Sequence, residues 1–256
     1  EFAQLLPGTS NIVDGDGTAY IDDFENTATP YSLMSPQAWK LAATPKDIRF
    51  DPSNGALNQI SAGFNRARLA WYIVDNQFYR DGGRFKPSNI TSTDLENHYV
   101  RAVLPTEIFP KRNPPQGNFF EPVLDIAYYP YERGPYNYNP NLLVGARGIA
   151  ELPNPKANWA GLTTAIRTEV DFDKANIEYV EFWMLDPFIN NTERGRIIDG
   201  VYNDFNTTGG KLIFHLGSIS EDVIRDGRHG FENGLPPDGD LTTASETPWG
   251  YVANRT

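Results

Sequence analysis

A chain of 256 residues allows one large β domain or two modest ones, and 39% hydrophobic residues are enough to bury a real core. The net charge of −11 and pI near 4.7 exclude the basic footprint of a nucleic-acid binder and count against adhesion to anionic lipid. Cysteine is absent, which removes disulfides and thiolate metal sites, and with only three histidines (His98, His215, His229) a multi-histidine catalytic zinc centre is nearly excluded.

The predicted elements, taken in chain order, are mostly strands. Residues 19–24 are β-prone and end at turn residues 26–30. Residues 64–74 (FNRARLAWYIV) form a long strand in which Arg66 and Arg68 alternate with Ala67 and Leu69. In 99–104, Tyr99, Arg101 and Val103 alternate with Val100, Ala102 and Leu104. Residues 123–129 put Leu124, Ile126 and Tyr128 on one face and Asp125 on the other. Residues 177–185 (IEYVEFWML) set Val180, Phe182 and Met184 opposite Tyr179, Glu181 and Trp183, and residues 211–216 (KLIFHL) close the series. Period-two patterning broken by Gly, Pro, Asn and Asp predicts antiparallel sheet.

One short helix is expected from Ser220. Ser220 caps it, Glu221 and Asp222 favour its positive end, Ile219 staples onto Ile224, and Gly227 ends it. A single further turn is expected near 93–97. Three stretches read as long loops: 44–61, 105–118 and 130–158. The expected fold is one domain over 1–256, an antiparallel β-sandwich of jelly-roll or galactose-binding-like type with long loops and one short helix. A weaker boundary falls near 156–158.

Alternating segments are also the pattern of transmembrane barrel strands. Those strands want about 10 residues with an apolar lipid-facing row, whereas most of these are shorter or charged on both faces, which predicts an extramembrane region. No apolar run approaches the ~20 residues of a spanning helix. The chain opens on Glu1-Phe2-Ala3-Gln4 with no signal peptide, and it is read as a piece of a longer protein.

The sharpest local chemistry is an acidic run. Asp14, Asp16, Thr18, Asp22 and Glu25 fall at loop positions 1, 3, 5, 9 and 12 of an EF-hand, with the Tyr20 carbonyl at position 7. Position 6 is Ala19 where the sharp turn wants glycine, and the flanks read as loop and strand. Two readings stay open: an acidic turn leading into the first strand, or a structural calcium site of non-EF type. Calorimetry with calcium separates them.

An aromatic cluster, Tyr128, Tyr129, Tyr131, Tyr136 and Tyr138 with Arg133, sits in a proline-rich stretch. So many rings are costly to leave in water, so they either pack on their own domain or form an interface. Asp222 and Asp226 stand four apart on the expected helix and read as a solvated face rather than a glycosidase pair. Glu181 between two aromatics reads as structural, and His215 as a core or sheet-face residue. There is no nucleophile elbow, P-loop or dinucleotide fingerprint.

Seven blocks, read in one order, are similar to the SprA/Sov outer-membrane translocons of type IX secretion in Bacteroidota. They are YIDDFE at 20–25 continuing through 33–36 and 39–45 (WKLAATP); NRARLAWY at 65–72 with Asp75 and Phe78-Tyr79-Arg80; HYVR at 98–101; EIFP at 107–110; YYPYERGPYN at 128–137; NIEYVEFWMLDPF at 176–188; and GSISEDVIRDGRHGFENGLP at 217–236. Asn26, Ala160 and His215 are departures within the pattern.

The resemblance implies a non-catalytic, extramembrane part of a giant barrel that conducts folded cargo and supports gliding motility in some species. Its implied partners are the rest of the barrel, other type IX secretion components and secreted cargo. Its implied location is the outer membrane, with the cell surface favoured over the periplasm. The resemblance carries over no catalytic residue. The rival expectation is a carbohydrate-binding β-sandwich module at the cell surface, with glycan as its ligand.

Overall fold

A computed structural model of the chain describes residues 3–5, 19–21, 31–45, 60–79, 86–95, 97–111, 120–144, 150–167, 171–173, 177–188, 209–224, 240–247 and 250–254. Its contacts divide the chain into two units: Glu1–Leu33 with Ala165–Phe182, and Met34–Thr164 with Trp183–Thr256. The smaller unit contains an antiparallel pair, β1 (Ala3–Leu5) and β2 (Ala19–Ile21), in register Ala3 to Ile21. In the same unit the Ile177 N–H donates to the Phe172 carbonyl.

The larger unit is built on β4 (Ala67–Tyr72) and β5 (Asp125–Arg133). Both are rich in β-branched or aromatic residues and alternate as the sequence predicts. They pair antiparallel from Tyr72 opposite Asp125 to Arg68 opposite Tyr129; the next pair is Ala67 opposite Arg133. Pro130 explains the jump. Proline lacks the N–H a ladder needs and is placed at bulges, so 130–132 leave the β4 ladder, and Glu132 pairs instead with Glu151 of β7 (Ala150–Glu151). With β3 (Lys40–Leu41) and β6 (Leu143–Val144) placed in chain order, the four-stranded sheet runs β4-β5-β7-β6. Lys40–Leu41 pairs separately with β8 (Leu162–Thr163), and β9 (Ala244–Thr247) with β10 (Gly250–Ala253) forms a hairpin.

The result is a set of small antiparallel sheets with short helical turns, and none closes into a barrel among the described residues. Two one-turn helices occur, α1 (Ser92–Leu95) and α2 (Pro105–Ile108). The first lies where a turn near 93–97 is expected. Thr91 and Asp94 exchange hydrogen bonds across it, and these hold the Asp94 carboxyl below its usual range.

Several local expectations are corrected. Residues 99–104 alternate but form no strand; 98–100 make a turn and only Val103 bridges, to Glu121. Pro105 then begins α2 in place of a loop, because proline suits the first helical position. Glu107 accepts from the Leu104 N–H and forms a two-pronged ion pair with Arg101. That pair is the main reason its carboxyl is held low. The expected loop 130–158 instead contains the end of β5, β6 and β7. The helix expected from Ser220 is not formed through Ile224: the Asp222 N–H does reach the Ser220 hydroxyl, but only a turn follows at Val223 and Ile224. Ile219 is exposed while Ile224 is buried, so the staple between them is not made. Arg225, Asp226 and Gly227 lie outside the described residues.

The core of the larger unit is organised by two buried polar side chains. Arg66 is 2% exposed. Its guanidinium donates from Nη1 to the Ala42 carbonyl at 2.6 Å and from Nη2 to the Val223 carbonyl at 3.1 Å, and it lies 4.6 Å over the Trp159 ring. Asn137 is 1% exposed; its Nδ2 donates to the Phe64 and Arg66 carbonyls, and its Oδ1 accepts from the Asn139 N–H. Both satisfy acceptors that burial would otherwise leave costly. The Gly134 N–H also donates to the Arg66 carbonyl. Tyr136, with φ of 58°, takes the left-handed turn between Gly134 and Asn137. Tyr138 packs on Ile224 nearby, with Ile60, Tyr136 and Leu241 against the pair.

Candidate functional site

The β4–β5 ribbon positions the residues of greatest chemical interest. Successive strand residues face opposite sides, so cross-strand pairing sorts the ribbon into two faces. Leu69, Trp71, Ile126 and Tyr128 share one face; Arg68, Ala70, Tyr72, Asp125, Ala127 and Tyr129 share the other.

The Trp71 face is partly covered. Trp71 Nε1 donates to the Pro36 carbonyl at 3.0 Å, and the Tyr128 hydroxyl donates to the Asn158 carbonyl at 2.8 Å. Burial of that hydroxyl pushes its pKa up to about 12, although the ring itself remains exposed. Ile126, on the same face, is 54% exposed. Asn158 Nδ2 ties the overlying turn back to the Pro130 and Pro153 carbonyls.

The opposite face gathers phenols around one carboxylate. Tyr72 stands directly across from Asp125. Tyr79 comes from the 3-10 turn Asn76–Tyr79 and is anchored by its hydroxyl on the Val100 carbonyl and by an edge contact with Phe120. Asp125 is half-buried, and burial raises its pKa against the lowering effect of a hydrogen bond from the Val74 N–H. Burial also raises Tyr79, up to about 12, and the Asp125 charge and Tyr72 add to it. Tyr72 is raised for the same reasons, with Tyr129 as the third contributor. At the far end Arg68 pairs with Glu132 at 2.7 Å and lies 5.1 Å over the Tyr129 ring.

A raised carboxyl pKa in the folded state means that folding favours the protonated form. Stability therefore falls as pH rises from the ordinary carboxyl value of 3.8. Asp125→Asn removes the charge and keeps an acceptor for Val74. After allowance for solvent screening, the expected gain at pH 7.5 is no more than about 1 kcal/mol, or about 2–4 °C in Tm. Thermal melts from pH 3.5 to 8 check this: the gain should shrink toward acid pH, and a uniform loss of Tm would contradict it.

The structure divides the aromatic cluster expected from the sequence. Tyr128, Tyr129 and Tyr131 are exposed on β5. Arg133 is turned inward, its Nε donating to the Asn137 carbonyl, while Tyr136 and Tyr138 pack in the core. Asp14, Asp16, Thr18, Asp22 and Glu25 lie outside the described residues, and no three-residue metal-holding group occurs among the described ones. His215 is exposed rather than buried in a sheet or core. No described helix is long and apolar enough to cross a membrane.

Sequence reasoning missed Asp125 as a site and Arg66 as a core residue. The only signal was parity: an acid breaking the apolar row of 123–129, and an arginine one position before a strand. No protein-family model matches the chain, and no curated protein matches it.

Proposed function

We propose that this chain is a non-catalytic extramembrane module of a type IX secretion translocon of SprA/Sov type, which shapes the barrel and holds partner proteins. The observation that carries the reading is how the resembling blocks meet. Arg66, in NRARLAWY, bonds Ala42 of the first block and Val223 of the last, and its own carbonyl accepts from Gly134 and Asn137 of YYPYERGPYN. His98 and Tyr99 of HYVR reach the carbonyls of Asp186 and Pro187 in NIEYVEFWMLDPF. Segments that resemble one family in sequence order thus meet one another in the larger unit, four of them through the buried Arg66. The finer arrangement we propose is a jelly-roll sandwich whose second sheet covers the Trp71 face of the ribbon.

Strand-patterned stretches without a ladder supply the partner-holding surface. Residues 183–186 and 209–216 have no regular secondary structure and take part in no ladder among the described residues. They expose Trp183 (74%), Leu212 and Leu216 (67%). Apolar side chains at that density mark contact with another surface. In a bacterium carrying this secretion system, the double variant Leu212→Asp, Leu216→Asp is expected to reduce cargo secretion about tenfold or more, the scale on which charge in an apolar interface acts. The purified variant should keep its circular dichroism and Tm. Unchanged secretion with normal protein levels would defeat the reading.

Exposed Trp183 also favours a second reading, a glycan-binding module in which the indole stacks on sugar. Quenching of Trp183 fluorescence by a glycan from an array would support it, and a silent array would count against it.

A further inference from the structure

Asp125 is the anomaly of the ribbon. Its Oδ2 is sealed from solvent and accepts no hydrogen bond. A charge removed from water without a donor is costly, and a buried polar atom left so commonly marks a missing ion or ligand. Tyr72 stands across the strand pair with Tyr129 further along the same face, and Tyr79 from the following turn lies close enough for the Asp125 charge to raise its pKa.

We propose that Asp125, Tyr72 and Tyr79 form a receptor for a primary alkylammonium, the side chain of a lysine presented by a protein partner. Asp125 Oδ2 is the acceptor and the phenol rings are the walls. This inference does not rest on the translocon reading.

The number of free oxygens selects the ligand. A guanidinium pairs best with both oxygens of a carboxylate, and here Oδ2 is the one oxygen buried without a partner. An ammonium is a compact point charge that a single oxygen accommodates. A hard divalent cation wants about six or more oxygen ligands, and the described residues hold no cluster of three acids or histidines. A neutral hydroxyl would gain nothing from the ring faces, whereas a cation is attracted to them. The ribbon already uses that attraction once, with Arg68 over Tyr129.

Access and attraction fit the same ligand. Ala70 and Ala127 are paired beside the Tyr72–Asp125 pair, so only two short side chains adjoin it on that face. Tyr79 is pinned through Val100. Tyr72 is exposed and its hydroxyl makes no hydrogen bond among the described residues, so it is the ring that swings aside. The chain's net charge of −11 draws a lysine-bearing surface toward it.

The test is an NMR titration of the full chain at fixed ionic strength with n-butylammonium, N-acetyl-lysine methylamide and the neutral analogue 1-pentanol. Both amines are expected to give saturable shifts at the Val74 and Asp125 amides, with Kd on the order of millimolar, and pentanol none. Asp125→Asn should weaken binding about fivefold or more, and Tyr72→Leu, which keeps every carboxylate, about threefold. Equal affinity in wild type and Asp125→Asn, or equal response to pentanol, overturns the receptor. Binding of n-butylammonium without the lysine amide overturns the lysine as its occupant. Melting curves of both variants establish that they are folded.

Discussion

Replacing Gly134 with alanine is expected to lower Tm by about 6–12 °C, equivalent to a loss of about 3 kcal/mol. A Cβ at this position would stand 2.3 Å from the Ala67 carbonyl oxygen and 2.6 Å from its carbon, with the Arg66 carbonyl oxygen at 3.1 Å. Backbone atoms cannot rotate away as a side chain can, so the first residues of β4 or the Gly134 turn must move. Movement would break the Gly134 N–H bond to the Arg66 carbonyl and the Asn137 Nδ2 bond to the same oxygen. Gly210→Ala is the matched control. Its added Cβ meets only the Phe188 ring, at 2.9 Å, and that ring can turn. Thermal melts of the two variants side by side check the prediction; equal Tm values would refute the close approach at Gly134.

The second large effect is expected at Arg66. Arg66→Met keeps length and apolar bulk but leaves the Ala42 and Val223 carbonyls without their donor and strips the cation from Trp159. Each buried acceptor left unmet costs about 1–3 kcal/mol, so a loss of about 3–5 kcal/mol is expected, a large part of a typical domain's stability. Arg66→Lys separates the causes. Lysine keeps the charge but lacks the planar fork that spans two carbonyls and stacks on a ring, so about 2 kcal/mol should still be lost. A lysine variant as stable as wild type would mean that charge alone matters there. A methionine variant as stable as wild type would mean that packing alone does.

How far the sequence discloses these features depends on range. The strands at 67–72 and 125–129 were legible because their alternation is local and both faces are used in pairing. The same alternation misled at 99–104, where Pro105 and the Arg101–Glu107 pair favour a turn and a helix start. It misled again at 211–216, where the segment forms no strand among the described residues. Gly134, Asn137 and Arg66 were illegible as a group. Their contacts span 24 to 157 positions, and no local pattern encodes a carbonyl that far away. The phenols around Asp125 share that property: Tyr72 is legible as a strand residue, but not as the neighbour of an acid 53 positions later.

The reach from Arg66 to Val223, 157 positions along the chain, has a temporal meaning. A ribosome adding about 5–20 residues per second delivers the second carbonyl acceptor about 8–30 s after the guanidinium that needs it. At first only Ala42 is present for Arg66, Asn137 and Trp159 join it part-way through that interval, and the corner stays easier to open until Val223 arrives. The last bond of this corner is therefore made late in vectorial synthesis.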